Sequence, residues 1–171
     1  SRTQQIPFST SDPERTAAAL IAEGYPAELV RCAVRLAPGM ESCRELIQSN
    51  GFAEMRNVML QLGKECVTNR SSSVLLLVQQ NAQKSEFSNQ IVLLMEMFML
   101  WIKDMISIQY NRTDNVVFAD QLEWMTKSAF SRSASAWIRS LESAAEAVKR
   151  LRFNANPQLT LEQWLIGLQE G

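Results

Sequence analysis

The chain has 171 residues, of which 46% are hydrophobic and 20% charged, a composition typical of a globular protein with one domain or two small ones. Its 17 Lys and Arg against 18 Asp and Glu give a net charge of −1, so no overall positive field favours binding to nucleic acid. The absence of histidine excludes imidazole-based catalytic triads, histidine metal ligands and histidine pH switches within the chain.

Three short helices are predicted near the start of the chain, over Arg15 to Glu23, Pro26 to Leu36 and Met40 to Gln48. Ser11 is expected to cap the first helix, because Pro13 suits the first turn and Glu14 completes a capping box. Gly24 ends that helix, and Pro38-Gly39 stops the second. Together these helices predict a small three-helix bundle.

Longer and more apolar helices are predicted after the break at Ser49-Asn50-Gly51. They cover Phe52 to Asn69, Val74 to Gln83, Glu86 to Ile108, Phe118 to Phe130 and Ser133 to Phe153. Apolar residues surround so much of the helix from Glu86 that it is expected to be central. Asn154 to Pro157 is a stop, and Thr160 with Gln163 is expected to cap a last helix ending near Leu168. The pattern predicts an all-α fold of two modules, residues 1–48 and 49–171.

No catalytic, metal or cofactor site is predicted from the residues. Cys32, Cys43 and Cys66 form no C-x-x-C pair and are odd in number, which favours reduced thiols over disulfides or zinc. Neither GxxxxGK[ST] nor GxGxxG occurs, and no pair of acidic residues suggests a catalytic dyad. The most apolar run, Ile91 to Ile102, is too short to span a membrane. We therefore expect a non-enzymatic, cytoplasmic chain with no membrane partner.

Positive residues gather on the predicted helix near the C-terminus, at Arg132, Arg139, Lys149, Arg150 and Arg152. They could follow nucleic-acid phosphates, but Glu142 and Glu146 lie among them, which favours a solvated helix face. A helical nucleic-acid-binding module stays open as an alternative. Four tryptophans could stack on bases, yet each lies in an apolar helical pattern that favours core or helix-helix contacts: Trp101, Trp124, Trp137 and Trp164.

Both ends of the chain resemble the AAA+ clamp-loader subunits of bacterial DNA polymerase III. The segment Ser1-Arg2-Thr3-Gln4 with Phe8 resembles the end of their ATPase domain, and Ala18 to Gly39 is similar to the helical lid that follows. The segment Arg152 to Glu162 resembles the N-x-N-x-x-L-x-L-E ending of their collar domain. The resemblance spans essentially the whole chain and points to the delta-prime branch. It implies a three-helix AAA+ lid followed by a five- to six-helix collar bundle, without the nucleotide-binding fold.

The resemblance also implies a role: helping to assemble the pentamer that loads the sliding clamp onto DNA during replication. Its partners would be the gamma/tau and delta subunits and, indirectly, the sliding clamp and primer-template DNA. Arg2 would be an arginine finger for ATP on a neighbouring subunit, and Arg44 the nucleotide-sensing arginine if the register shifts by one residue. The alternative within the family is a gamma/tau-type ATPase subunit. The candidate interface residues are Trp137, Leu141, Trp164 and Leu168.

Overall fold

A computed structural model describes residues 12–68 and 86–170 of the chain. Within these ranges the regular structure consists of eight α-helices and two short 3₁₀ turns, without a strand, which confirms the all-α prediction. The helices are α1 (Pro13–Ala22), α2 (Ala27–Leu36), α3 (Gly39–Gln48), α4 (Phe52–Thr68), α5 (Phe87–Gln109), α6 (Leu122–Ser128), α7 (Ala134–Arg152) and α8 (Pro157–Glu170). The turns Ala119–Gln121 and Ala129–Ser131 flank α6. The helix predicted over Val74 to Gln83 lies outside the described residues, and the division at residue 48 stays a prediction.

The first helix begins at Pro13, two residues before the predicted start at Arg15, and Asp12 precedes it as the N-cap. The side chain of Asp12 caps α1 by accepting a hydrogen bond from the backbone N–H of Glu14, at 3.1 Å. Pro13 occupies the first helical position, so the residue directly before it takes the capping role. The N-cap of this helix is therefore Asp12 and not the predicted Ser11, which lies outside the described residues.

Helices α1, α2 and α3 pack on one another around a small core, and α2 also contacts α5. The core side chains are Leu20, Val30, Cys32, Ala33 and Cys43, all of which are buried. Gly24 ends α1 as predicted, with a φ of 102° that suits glycine. The N-terminal helices therefore rest on the longest helix of the fold rather than standing apart from it.

Helix α5 is the centre of the structure, as its apolar circumference predicts. It contacts α2, α4, α6, α7 and α8. Its side chains Met95, Met97, Phe98, Trp101, Ile102 and Met105 are completely buried. Met95, Met97 and Met105 thus fill the core, a role that suits their flexible side chains.

Asparagine ends both α5 and α7 in the left-handed conformation. Asn111 has a φ of 61° and Asn154 a φ of 64°. After Asn154, the N–H of Ala155 donates to the carbonyl of Arg150 at 3.1 Å, while the N–H of Asn154 itself donates to Leu151 at 3.2 Å. This is the Schellman pattern, which satisfies the last carbonyls of a helix.

The second asparagine of the N-x-N sequence begins the last helix. The side chain of Asn156 accepts a hydrogen bond from the N–H of Leu159 at 2.9 Å, and Pro157 occupies the first helical position. The predicted cap formed by Thr160 and Gln163 is therefore wrong, because the helix has already begun and Thr160 is buried inside it. The N-x-N sequence has a structural reason: one asparagine ends α7 and the other starts α8.

The three cysteines are free and buried, which agrees with the prediction of reduced thiols. None of the helices in residues 12–68 and 86–170 combines the length and apolar character needed to cross a bilayer.

Candidate functional site

Helices α5 and α7 form the most extensive helix pair in the described structure and run antiparallel. At one end, the side-chain amide of Gln109 on α5 donates to the carbonyl oxygens of Ala129 and Arg132, at 2.5 and 2.7 Å. At the other end, the guanidinium of Arg152 on α7 lies 3.3 Å from the Glu96 carboxylate on α5. The positions of the candidate interface residues are described relative to these two helices.

Trp137 lies in the core between α5 and α7 and presents no surface to a partner. Its side chain is 0% exposed, and its indole N–H donates to the carbonyl of Ala129 at 2.9 Å. Its ring meets Trp101 edge to face, with 5.6 Å between centroids. The sequence pattern that marked Trp137 as an interface residue reflects burial within its own chain.

Trp164 and Leu168 on α8 are also core residues, at 3% and 7% exposure. The Trp164 ring meets Phe98 edge to face, 5.0 Å between centroids, and this contact holds α8 against α5. Leu141 is half-buried and packs against the same core. Three of the four candidate interface residues are thus buried within the chain's own core, and Leu141 alone among the four keeps part of its side chain exposed.

A different set of apolar side chains reaches solvent near the C-terminus. Phe153, Leu159 and Ile166 are 77%, 53% and 57% exposed, and we call them the α8 apolar surface. Leu159 and Ile166 are two helical turns apart, so they lie on one side of α8, while Phe153 directly follows α7. The apolar pattern alone did not separate these residues from their buried neighbours; only the packing of α8 on α5 and α7 does so.

The guanidinium of Arg44 is occupied by two carboxylates. Its Nε donates to Glu23 at 2.9 Å, its Nη2 to the other oxygen of Glu23 at 2.7 Å, and its Nη1 to Glu41 at 2.9 Å. The hydrogen bond from Arg44 lowers the pKa of Glu23, and in return raises the pKa of Arg44. In this arrangement Arg44 links α3 to the end of α1, and a nucleotide would have to displace Glu23 to reach it.

Arg2 lies outside the described residues. Of the positive residues near the C-terminus, Arg152 pairs with Glu96 and Arg132 is bound to neutral groups, as described below. Arg139, Lys149 and Arg150 are exposed, and none has an ion-pair partner among the described residues. The structure therefore leaves three of the five charges available to a polyanion.

A groove with a volume of about 270 Å³ runs between α1, α2 and the loop at residues 114–117. Its lining residues are partly apolar and partly charged, with Arg31 and Arg35 on α2, Glu14 on α1 and Asp114 in the loop. No group of three Cys, Asp or Glu within residues 12–68 and 86–170 could hold a metal ion. The groove carries mixed charge and offers no constellation for catalysis.

Comparison with known proteins adds the family context. Residues 51–170 match the family model for DNA polymerase III, delta subunit, C terminal. The DNA polymerase III subunit delta' of Bacillus subtilis (strain 168) is 25% identical over 173 residues, an alignment that covers 100% of this chain and 52% of that protein. The chain thus spans about half the length of this curated relative. No solved structure matches the chain.

Proposed function

Since the chain belongs to the family defined by the C-terminal domain of the DNA polymerase III delta subunit, we propose that it acts in a clamp loader as the lid and collar of a delta-prime-like protein. Its task is assembly: helping to hold the pentamer that loads the sliding clamp onto DNA. The described residues contain no catalytic constellation, which suits a non-catalytic region of a larger machine. The partners are then the gamma/tau and delta subunits.

The observation that supports an assembly role is the α8 apolar surface. Three large apolar side chains, Phe153, Leu159 and Ile166, are more than half exposed close together in the sequence, and among the other described residues Phe130 and Tyr110 are also more than half exposed. Exposed aromatic and aliphatic side chains of this kind act as anchors in protein interfaces, where they fill pockets on a partner. We therefore place the collar contact at α8 and the end of α7, on different residues from those marked by the sequence pattern.

Co-assembly with the partner subunits tests this proposal. The chain is mixed with the gamma/tau and delta subunits from the same genome, and the mass of the complex is measured by size-exclusion chromatography with light scattering. The wild type should enter a hetero-oligomer. The double variant Phe153→Glu with Leu159→Glu should weaken assembly by about tenfold or more, because each charge would be buried in an apolar contact.

Ile21→Glu provides the matched control, since Ile21 is an exposed apolar residue on α1, far from α8 in the chain. This variant should assemble like the wild type. Assembly that is unchanged in the Phe153 and Leu159 double variant would refute the α8 assignment. A wild-type chain that binds none of the partners would refute the assembly role itself.

The family resemblance also motivates a role for Arg2, which we propose to act on ATP bound by a neighbouring subunit. A guanidinium keeps its charge at neutral pH and can bind two phosphate oxygens at once. In the assembled complex, Arg2→Ala should lower the ATPase rate while leaving the complex mass unchanged. Arg15→Ala, at an exposed position on α1, is the control and should leave the rate as it is.

A further inference from the structure

We propose that a pocket between α7 and α8 binds a phosphate group. The pocket has a volume of about 110 Å³ and is lined on α7 by Ala136, Arg139, Ser140 and Ser143, together with the preceding Arg132. Gly167 and Leu168 line it on α8. It lies apart from the groove at α1 and α2, and its ligand is independent of the assembly role proposed above.

The described lining residues give this pocket a positive charge. Two guanidinium groups, Arg132 and Arg139, are among the lining residues, and no carboxylate is among those that the structure describes. Arg139 has no ion-pair or hydrogen-bond partner within the described residues. An anion entering the pocket would therefore meet donors that are not already paired with acidic side chains.

Arg132 is held in place by neutral groups. Its Nη2 donates to the backbone carbonyl of Cys66 at 3.2 Å and its Nη1 to the hydroxyl of Ser140 at 3.4 Å. The guanidinium also lies over the Trp137 ring, 5.2 Å from the centroid. These contacts fix the position of the Arg132 side chain without neutralising its charge. Little side-chain conformational entropy is therefore lost when an anion binds.

The remaining walls suit a tetrahedral anion. Ser143 lies one helical turn after Arg139, so its hydroxyl and the Arg139 guanidinium share one side of α7. A pocket of 110 Å³ holds a few water volumes of about 30 Å³ each, enough for one phosphate group. Phosphate offers oxygens in several directions, whereas a carboxylate offers two in one plane, and the donors here come from separate positions along the helix.

Gly167 keeps the pocket open on the α8 side. A Cβ built on Gly167 has no atom within 4 Å, so a larger side chain could be introduced there without a clash. Gly167→Leu should fill part of the pocket while leaving every charge unchanged. This variant therefore distinguishes binding that depends on the shape of the pocket from nonspecific attraction of an anion to positive charge.

A titration with inorganic phosphate, followed by backbone NMR shifts at constant ionic strength, tests the proposal on the chain as it stands. Saturable shifts are expected at Ser140, Ser143 and Gly167. Both Arg139→Gln and Gly167→Leu should weaken binding by about tenfold, while Arg150→Gln, on the same helix but outside the pocket, should change it less than about twofold. The proposal fails if no saturable shift is seen, or if Arg139→Gln and Arg150→Gln weaken binding equally.

The same variants identify the source of the phosphate when the titration is repeated with a single-stranded oligothymidylate. Loss of both phosphate and oligonucleotide binding in Arg139→Gln would support the pocket as a contact for a nucleic-acid backbone. Loss of phosphate binding alone would support a free phosphate-bearing ligand. Oligonucleotide binding that is insensitive to Arg139→Gln, with no phosphate binding in the wild type, would overturn the proposal.

Discussion

Gly63 on α4 lies directly against the indole ring of Trp101 on α5. A Cβ built on Gly63 would be 2.8 Å from Cζ2 and 2.9 Å from Cε2 of that ring, closer than real Cβ atoms come to other heavy atoms. The ring cannot easily move away, because it is fully buried and packs against Phe98 and Trp137. Helix α4 can approach α5 this closely only because residue 63 has no side chain.

Gly63→Ala should therefore destabilise the chain by about 1–3 kcal/mol, as added volume does in a packed core. The clash outweighs the gain of roughly 1 kcal/mol that alanine normally brings to a helix interior. Urea unfolding measures the change. Gly167→Ala is the control: its Cβ meets nothing, so it should be neutral or stabilising by up to about 1 kcal/mol. Equal stability of wild type and Gly63→Ala would contradict the contact.

Asp104 is a buried carboxylate that holds the loop after α5. It accepts hydrogen bonds from the backbone N–H groups of Val117 and Phe118, at 3.1 and 2.9 Å. Burial raises the pKa of Asp104 to about 6, and this effect outweighs the two hydrogen bonds, which act to lower it. The folded chain thus holds a proton here in a pH range where the unfolded chain has already released it.

The contribution of Asp104 to the unfolding free energy should consequently fall as the pH rises from about 4 to about 6, and level off above that range. The contribution of Asp104 to this loss is of the order of 3 kcal/mol, from the difference between its folded and unfolded pKa. Asp104→Asn should remove that part of the pH dependence, which urea unfolding at a series of pH values would measure. Parallel profiles for wild type and variant would contradict the role of Asp104.

Arg56 and Asp120 form an ion pair that joins α4 to the turn before α6. The Arg56 side chain is buried, its Nη2 lies 2.5 Å from the Asp120 carboxylate, and its guanidinium lies over the Phe118 ring. Asp120→Asn would leave a buried positive charge without its counter-charge, so a loss of roughly 2–4 kcal/mol is expected. Chemical unfolding of the purified variant gives the value.

Two comparisons distinguish this explanation from a general effect of losing an acidic residue. Adding Arg56→Met to the Asp120→Asn variant removes the unpaired charge and should restore part of the stability. Glu123→Gln breaks the exposed pair with Lys127 and should change stability by less than about 1 kcal/mol. A double variant that is less stable than Asp120→Asn would argue against the buried charge as the cause.

The thiols should be unreactive in the folded chain. Burial raises the pKa of Cys32 to about 12, and it also raises the pKa of Cys43 and Cys66, although Arg132 opposes the shift at Cys66. Since the thiolate is the reactive form, a thiol reagent at pH 8 should label the native chain slowly and all three cysteines in denaturant. Rapid labelling of one thiol in the native chain would show that its surroundings open readily.

Much of the fold follows from patterns within single segments. The continuous apolar surface of α5 predicts its central position, and Gly24 predicts the end of α1, because both signals are local. The two wrong caps share one cause: a proline in the first helical position moves the cap to the residue before it. Asp12 and Asn156 hold those positions, whereas the capping-box pattern drew attention to Ser11 and Thr160.

The candidate interface was harder to predict, because exposure depends on how helices pack and not on their composition. Trp137 and Phe153 are both large, aromatic and on or next to α7, yet one is fully buried and the other mostly exposed. Helical periodicity assigns residues to an apolar side, but it does not say whether this chain or a partner covers that side. The phosphate pocket escaped prediction for the same reason, since Gly167 contributes to it by lacking a side chain.

Polar contacts at two places along the α5 and α7 pair fix the position of one helix relative to the other. With Gln109 bonded at one end and Glu96 at the other, neither helix can slide along the other without breaking a contact. The pair, about 28 Å long from the 19 residues of α7 at about 1.5 Å each, is therefore held in one register mainly by its buried side chains and the Gln109 hydrogen bonds, because the Glu96–Arg152 ion pair is exposed.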